Sequence, residues 1–273
     1  MIALVTGATG SIGGAILRGL VGSATRVVIG CRDIARGAAA IAALPAGGAA
    51  KVIVRPLDLA SLASVRELAR WVDGELPRLD VLINNAGVWP RQRRITRDGF
   101  ELAFGVNHLA HHALAVGVLP ALERSVGARV VTVASGLHAR GKLAWDDVMQ
   151  TAGGFNGTRA YEQSKLANVM FALAFARRAG PRVSSNAVHP GIVRSALTRE
   201  YPELLRELPP RSIVAPAVAA RAVLRLATDP ALAGVTGQYF DRDRAQPPSR
   251  AAQDRAAQDR LWQLGEELIA SVR

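Results

Sequence analysis

The sequence has few of the residues that would cross-link or anchor a protein. Its 273 residues include one cysteine, Cys31, so the chain cannot form an internal disulfide bond. No apolar run approaches the roughly 20 residues that cross a bilayer, and the N-terminus lacks the basic segment typical of a signal peptide. We therefore expect a cytoplasmic protein with no membrane span, because a chain without disulfides suits a reducing compartment.

Lysine is also scarce. It occurs only at Lys51, Lys142 and Lys165, so arginine carries nearly all of the positive charge in a chain with a formal net charge of +12. A basic excess is one mark of nucleic-acid binding, but these arginines are spread along the chain and their densest run, at residues 91–94, is short. A coding bias towards arginine and alanine, typical of a GC-rich bacterial genome, explains the charge without a nucleic-acid partner. The same bias hints at a role in secondary metabolism.

What the chain does contain is a regular alternation of short apolar runs and amphipathic segments. Strands are predicted at residues 2–6, 26–30, 52–56, 81–84, 129–134, 183–188 and 237–240. Helices are predicted at residues 12–20, 34–44, 61–72, 98–122, 158–179 and 214–227, with a further one in the C-terminal tail at 241–273. Apolar strands separated by helices predict one α/β domain over residues 1–273: a Rossmann-like, doubly wound parallel sheet with helices on both faces. The polar, irregular stretch at about 194–212 is a candidate substrate lid.

A glycine-rich turn joins the first predicted strand to the first helix. It contains Gly7, Gly10 and Gly13. Between a strand and a helix, such a turn lets backbone N–H groups approach a pyrophosphate, and the helix dipole adds partial positive charge. Gly7 suits a tight turn, and Gly13 suits close packing of the helix on the strand. We therefore predict a dinucleotide site here rather than a plain strand-to-helix turn.

The end of the second strand indicates which dinucleotide. An acidic residue there selects NAD by binding the ribose 2′-hydroxyl, whereas an arginine pairs with the 2′-phosphate of NADP. Asp33 is the acidic residue near this position, which taken alone suggests NAD. However, Asp33 is also well placed to cap the following helix, which leaves Arg32 for the phosphate. We therefore favour NADP(H) over NAD(H). Asp58, after the third strand, is placed either to bond the adenine amine or to cap the next segment.

A tyrosine and a lysine four residues apart, Tyr161 and Lys165, fall near the start of a long predicted helix, so they share one face. A cation beside a phenol favours the phenolate, which makes the tyrosine a usable proton donor and acceptor. Ser135 follows the fifth predicted strand, where its hydroxyl can hold a substrate oxygen or simply cap the turn. These three residues predict proton transfer to or from a carbonyl or alcohol oxygen.

In combination, these motifs resemble the short-chain dehydrogenase/reductase family. They are the glycine turn, NNAG at 84–87, Ser135, the Tyr161/Lys165 pair and HPG at 189–191. The segments GCRD, YEQSKLANVMF, VHPGIV and LWQLGEELI are similar to the retinol-dehydrogenase-like group within it.

The resemblance implies a role for each matching position. For catalysis it implies Tyr161 as general acid/base, Lys165 on the nicotinamide ribose, Ser135 on the substrate oxygen and Asn107 holding a water in a proton relay. For substrate contact it implies Ser135, His138 and Tyr161. For cofactor binding we predict Gly7, Thr9, Gly10, Ser11, Ile12, Gly13, Arg32, Asp58, Leu59, Asn85, Ala86, Gly87, Tyr161, Lys165, Pro190, Gly191 and Ile192. The expected activity is NADP(H)-dependent interconversion of a ketone or aldehyde and an alcohol, on a lipophilic or aromatic small molecule.

Other interpretations remain. The glycine spacing favours an epimerase or dehydratase of the family's extended branch, and a non-catalytic NADP-binding regulatory protein would use the turn alone. A nucleic-acid binder rests only on net charge. No metal is expected, because His108 and His112 share a helix face without acidic or cysteine partners. The helices at 98–122 and 158–179 are candidates for pairing across a two-fold axis in a homodimer.

Overall fold

The apolar runs of the sequence form the strands of a single eight-stranded sheet. The computed structural model describes residues 1–207, 209 and 212–272, apart from the side chains of residues 204 and 205. The strands are β1 (Ile2–Thr6), β2 (Arg26–Cys31), β3 (Val52–Pro56), β4 (Val81–Asn84), β5 (Ala128–Val133), β6 (Val183–His189), β7 (Gln238–Asp241) and β8 (Arg244–Gln246). Their order is β3-β2-β1-β4-β5-β6-β7-β8, parallel throughout except for β8, which pairs with β7 antiparallel.

Helices cover both faces of this sheet. They are α1 (Ser11–Ser23), α2 (Ile34–Ala42), α3 (Leu62–Glu75), α4 (Leu102–Phe104), α5 (Ala110–Gly117), α6 (Leu119–Glu123), α7 (Gly157–Arg178), α8 (Pro202–Glu207), α9 (Pro216–Thr228), α10 (Arg250–Gln253) and α11 (Arg255–Ser271). One core lies between the sheet and α1 and α9, and another between the sheet and α3, α5 and α7. The predicted doubly wound α/β fold is confirmed.

The strand order reverses at β1, which pairs with β2 on one side and β4 on the other. In a doubly wound sheet, the crevice at this reversal lies beyond the carboxyl ends of the strands and is where ligands bind. The glycine turn follows β1, and the NNAG segment follows β4. The fold therefore brings these two sequence motifs to the same edge of the sheet.

Two segments differ from the sequence prediction. The helix predicted over 98–122 is broken: a turn of π-helix, Gly105–Leu109, separates α4 from α5, and α6 begins anew with Pro120 in its first turn. The tail predicted as a loop before its helix contains the short strand β8, and the helix itself is interrupted at Asp254. The Asp254 carboxylate accepts from the amide of Ala257 at 3.1 Å, so it caps α11 and ends the preceding turn.

The last helix lies over the helices that the sequence offered for dimer pairing. Trp262 of α11 stacks against Phe171 of α7 and lies 4.5 Å, centre to centre, from the ring of His112 on α5. Arg66 of α3 holds the end of α11 by donating to the carbonyls of Ile269 and Val272. A homodimer stays a prediction, and pairing through α5 and α7 would have to accommodate α11.

Among the described residues, none of the helices combines the length and the apolar character needed to cross a membrane. The predicted lid at 194–212 includes α8 and a further loop, and its residues 208, 210 and 211 lie outside the described part of the chain.

Candidate active site

At two positions of the turn between β1 and α1, Gly7 and Gly13, only glycine fits the backbone geometry. Gly7 has φ +69°, in the left-handed region that favours glycine. A Cβ added at Gly13 would lie 2.1 Å from the carbonyl oxygen of Gly7, so a side chain there would push α1 away from β1. Gly10 is the N-cap of α1 and supplies no side-chain cap, which leaves the amides of the first turn without a side-chain partner.

The loop after β4 is fastened to this turn. The Asn85 side-chain amide donates to the carbonyl of Thr6 at 2.9 Å, and the Thr6 hydroxyl accepts from the backbone amides of Asn85 and Ala86 at 3.0 Å. The same hydroxyl lies 2.9 Å from Nε2 of the buried His111. Since Nδ1 of His111 bonds the carbonyl of Asn107, the imidazole donates there and accepts from Thr6. Thus the glycine turn, the NNAG loop and the π-turn are held as one unit.

One cavity of about 640 Å³ lies over this edge of the sheet. Most of the residues predicted to bind the cofactor line it: Gly7, Thr9, Gly10, Ser11, Ile12, Gly13, Asn85, Ala86, Gly87, Tyr161, Lys165, Pro190, Gly191 and Ile192. Ser135 lines it as well. The structure therefore brings together segments that are far apart in the sequence.

Ser135, Tyr161 and Lys165 meet on one wall of the cavity. Ser135 follows β5, and its hydroxyl accepts from the amide of Leu137 at 3.2 Å. Tyr161 and Lys165 are one turn apart on α7, with the lysine Nζ 5.6 Å from the centre of the tyrosine ring. The ammonium donates to the carbonyl of Val133 at the end of β5. The end of β5 therefore positions both the serine and the lysine.

Burial sets the protonation of the tyrosine and the lysine. It raises the pKa of Tyr161 to about 12, and a hydrogen bond with the Ser135 hydroxyl offsets only part of that rise. Burial also lowers the pKa of Lys165 to about 8. At neutral pH the phenol is protonated and the amine is still mostly an ammonium ion. The arrangement can thus donate a proton to an oxygen atom bound beside Ser135.

Asn107 lies behind this wall, in the π-turn. Its side-chain oxygen accepts from the amide of Val88 at 2.7 Å, and its Nδ2 donates to the Val88 carbonyl and the Ser164 hydroxyl, both at 2.9 Å. The amide therefore secures the NNAG loop to α7. The Asn107 backbone carbonyl oxygen accepts from Nδ1 of His111 at 3.0 Å. The proton relay itself stays a prediction.

Three predicted cofactor residues lie outside the cavity lining. Arg32 is exposed and makes no hydrogen bond or ion pair within the described part of the chain. The Asp58 carboxylate accepts from the amide of Ala60 and faces Arg97 at 3.3 Å, so it caps the turn before α3. Leu59 packs against the core under α3. The structure shows the capping role considered for Asp58, and its contact with the adenine amine stays a prediction.

The substrate contact predicted for His138 is not supported. Its ring is buried, with Nδ1 bonded to the Ser135 carbonyl at 2.8 Å and Nε2 accepting from the Ser249 amide at 3.2 Å. The ring also packs against Tyr239, with centres 4.6 Å apart. Both nitrogens are used within the protein, so His138 ties the Ser135 loop to the C-terminal segment instead of facing a ligand.

Several lining residues were not predicted from the sequence. Arg36 is one turn into α2, Trp89 follows the NNAG loop by two residues, and His189 ends β6. Leu137, Arg140, Val193, Ser195, Ala196, Leu197, Thr198, Tyr201 and Glu207 complete the far side. The HPG motif contained a signal for His189, and the predicted lid at 194–212 included Tyr201, whereas no sequence pattern singled out Trp89.

The remaining histidines are structural. His112 Nε2 bonds the Glu266 carboxylate of α11 at 2.8 Å, and His108 is buried between Phe104 and Phe171. Within residues 1–207, 209 and 212–272, no group of three histidine, cysteine or acidic side chains is arranged to hold a metal ion.

Comparison with known proteins agrees with this geometry. A family model described as short chain dehydrogenase matches residues 1–205. Human retinol dehydrogenase 14 is 36% identical over 291 residues, covering 99% of this chain and 86% of the relative. A crystal structure of a Mycobacterium paratuberculosis protein superposes with a TM-score of 0.80 at 32% identity, covering 98% of this chain and 93% of that one. The NADP active-site complex of Pseudomonas aeruginosa RhlG has a TM-score of 0.68 at 27% identity, covering 89% and 94%.

The match spans most of the chain and includes the residues that meet in the cavity. It also confirms the resemblance to retinol dehydrogenases. The chain is a retinol-dehydrogenase-like member of the short-chain dehydrogenase/reductase family, an oxidoreductase family.

Proposed function

We propose that this protein is an NADP(H)-dependent oxidoreductase that interconverts a ketone or aldehyde and an alcohol, with Tyr161 as the general acid/base. The observation that carries the proposal is the meeting of Ser135, Tyr161 and Lys165 with the glycine turn in one cavity of about 640 Å³. That volume lies within the usual range for small-molecule and cofactor sites.

The residues present fit a dinucleotide. The cradle at the glycine turn would be filled by a Cβ at Gly7 or Gly13, each of which would come within 3 Å of a backbone atom. The uncapped first turn of α1 presents amides to a pyrophosphate. Lys165 and the segment Pro190–Ile192 line the end of the cavity where the nicotinamide and its ribose would be held. When bound, the nicotinamide supplies or accepts the hydride, and its oxidised ring adds a positive charge that favours the phenolate.

The chain's own residues handle the proton. In reduction, the Ser135 hydroxyl holds the substrate oxygen and the protonated Tyr161 phenol donates to it, which completes the alcohol. In oxidation the same phenol, once ionised, takes the proton back. The raised pKa of Tyr161 keeps the phenol protonated at neutral pH, so the protein without cofactor is poised for the reductive direction.

The preference for NADP(H) rests on the end of β2. The Asp33 side chain accepts from the Arg36 amide at 3.1 Å, so it is used as the N-cap of α2. Arg32 is exposed beside it and Arg36 lines the cavity, so two guanidinium groups are available for a 2′-phosphate. The NADP complex of the structural relative RhlG supports the same assignment.

The substrate end of the cavity favours a lipophilic or aromatic compound. Trp89, Leu137, Val193, Leu197 and Tyr201 supply an apolar lining, and the retinol dehydrogenase relatives are named for a lipophilic alcohol. The segment around α8 acts as the lid over this end. A cytoplasmic location and a place in secondary metabolism stay predictions from composition.

Replacement of Tyr161 tests the mechanism. Tyr161→Phe removes the proton donor but keeps the ring, so turnover should fall by at least a hundredfold while NADPH binding stays within a few-fold of the wild type. The measurement is a panel of carbonyl and alcohol substrates followed at the nicotinamide absorbance, with NADPH binding measured by fluorescence titration. Retained activity in the variant would refute Tyr161 as the acid/base.

Replacement of the arginines at β2 and α2 tests the cofactor assignment. Arg32→Ala and Arg36→Ala should weaken NADPH binding about tenfold or more while leaving NADH binding nearly unchanged, since a charge-assisted contact to the 2′-phosphate is lost. Arg70→Ala, an exposed arginine on α3, is the matched control. An unchanged ratio of NADPH to NADH affinity in both variants would show that the cofactor assignment is wrong.

A further inference from the structure

The proposed catalytic tyrosine, Tyr161, is the first of three aromatic rings in one stack, followed by Trp89 and Tyr201. The Trp89 ring lies 4.3 Å from the ring of Tyr161 with an interplanar angle of 11°, and 4.4 Å from Tyr201 at 26°. Trp89 is therefore sandwiched between the phenol on α7 and a tyrosine of the lid segment. All three side chains are buried.

The indole is held by its faces alone. Its Nε1 is buried and has no hydrogen-bond partner among the described residues. Offset and near-parallel stacking is a favourable arrangement for aromatic rings, and such contacts restrict ring rotation. Trp89 thus contacts its neighbours through the faces of its ring. Another aromatic side chain at this position would keep some of that stacking.

The backbone beside Trp89 also holds the lid. The Tyr201 hydroxyl donates to the carbonyl of Pro90 at 3.1 Å. The Arg91 amide donates to Glu200, its guanidinium pairs with Glu203, and its guanidinium carbon lies 5.0 Å from the centre of the Tyr201 ring. Residues 89–91 thus contact the catalytic tyrosine on one side and residues 200–203 on the other.

The start of α7 is fitted to the same junction. A Cβ at Gly157 would lie 2.1 Å from the Pro90 carbonyl oxygen and 2.3 Å from the Tyr201 hydroxyl. Since Gly157 is the first residue of the helix that carries Tyr161, the lid, the NNAG loop and α7 converge within contact distance. A movement of Tyr201 therefore changes the packing of both Trp89 and the beginning of α7.

We propose that Trp89 is a positioning residue that couples closure of the lid, through Tyr201, to the orientation and desolvation of the Tyr161 phenol. With the lid closed, the stack fixes the plane of the phenol so that its hydroxyl points at Ser135, and it excludes water from the ring face. With the lid open, Trp89 loses one of its two partners and the phenol is no longer held. This inference rests on the proposed function, in which Tyr161 is the acid/base.

The test compares Trp89→Leu, Trp89→Phe and Tyr201→Leu with the wild type and with the control Trp145→Leu, a tryptophan outside the cavity lining. In Trp89→Leu we expect kcat to fall about tenfold or more with NADPH affinity within twofold of the wild type. We also expect the alkaline limb of the kcat profile for reduction to move to lower pH, because a hydrated phenol ionises closer to its ordinary pKa near 10.

The other variants separate positioning from general stability. Trp89→Phe should restore kcat to within about threefold and return the alkaline limb, because it keeps a stacking face. Tyr201→Leu should reproduce most of the loss, although Tyr201 stacks on the indole and not on the phenol. A Trp89→Leu protein with a lower melting temperature but an unshifted pH profile, or a Tyr201→Leu protein with wild-type kcat, would overturn the proposal.

Failure of the proposed function has a different signature. If the wild type turns over no carbonyl or alcohol, that function falls, and the coupling is then judged by near-ultraviolet circular dichroism. Tyr201→Leu and Tyr161→Leu should each alter the tryptophan band that disappears in Trp89→Leu, because each removes one of the two rings stacked on the indole. Bands that change in neither variant would overturn the coupling as well.

Discussion

At the scale of single residues, the glycine turn depends on two positions more than on its spacing. Gly7 adopts a positive φ, and Gly13 approaches the Gly7 carbonyl so closely that a Cβ has no room. Gly10 has a different role, as the N-cap of α1. A Cβ added at Gly10 would lie 3.4 Å from the Gly7 oxygen, so this position is less crowded than Gly7 or Gly13. Gly10, the middle glycine of the three, therefore takes no part in the tight contacts of the turn.

Substitution of adjacent glycines tests this division of roles. Gly13→Ala should destabilise the fold by about 1–3 kcal/mol, because the methyl group forces α1 away from β1, and should abolish cofactor binding. Gly14→Ala is the control: its Cβ would make an ordinary 3.5 Å contact with the Ala8 oxygen, and alanine is favoured in a helix by about 0.5–1 kcal/mol. Urea unfolding and NADPH titration measure both effects. Equal stability of the two variants would contradict this account.

At the scale of elements, α11 completes the face made by α5 and α7. Its Trp262 packs with Phe171 and Phe175, and Arg177 and Arg178 of α7 pair with Asp259. Those ion pairs are largely exposed and contribute little, so the aromatic packing holds the helix. The approach of the helices is close, since a Cβ at Gly265 would lie 2.6 Å from Nδ1 of His112.

A methyl group at this crossing should loosen the C-terminal helix. We expect Gly265→Ala to lower the free energy of unfolding by about 1–3 kcal/mol, because neither the buried imidazole nor the helix backbone has room to move. Gly22→Ala, near the end of α1 with nothing within 4 Å of the added Cβ, is the control and should be neutral or slightly stabilising. Chemical denaturation measures both, and limited proteolysis reports whether the cleavage sites fall in α11. Wild-type stability of Gly265→Ala would show that the crossing is adaptable.

At the scale of the whole molecule, buried histidines make the fold sensitive to acid. Burial lowers the pKa of His111 to about 4 from an ordinary value of 6.5. Burial also lowers the pKa of His108 well below its ordinary value, with the neighbouring histidines adding to the effect. His111 is therefore neutral in the folded protein at pH 5, whereas in the unfolded chain it is protonated, and the pKa of His108 is shifted in the same direction. Between pH 6.5 and 4 the unfolded state binds more protons, so the free energy of unfolding falls as the pH falls.

The expected loss between pH 7 and pH 5 is about 2 kcal/mol for His111, and His108 adds to it in the same direction. His108→Phe should reduce it, because phenylalanine removes a titrating group whose two ring nitrogens have no partner among the described residues and suits a site between aromatic rings. Urea unfolding of wild type and variant at both pH values gives the difference. The same pH-dependent loss in the two proteins would rule out His108 as a source.

Local features of this protein could be predicted from the order of its residues. Periodicity placed the first seven strands within about two residues, because continuous burial on both faces demands apolar runs. The role of Asp33 as the cap of α2 followed from local hydrogen bonding, since its side chain accepts from the Arg36 amide. Motif spacing pointed to the glycine turn, Ser135, Tyr161 and Lys165, which the structure brings to one cavity, and their catalytic roles stay predictions.

The contacts between segments that are distant in the sequence became visible in the fold. His138 bonds the Ser135 carbonyl and the distant Ser249 amide, so its ring links two segments of the protein. Asp58 bonds the Ala60 amide in the adjoining turn. A π-turn breaks the helix predicted over 98–122, and α11 lies over α5 and α7. Trp89 is stacked between Tyr161 and Tyr201, although Trp89 and Tyr201 are more than 100 positions apart in the sequence. Such contacts depend on the packing of whole elements, so no local pattern in the chain encodes them.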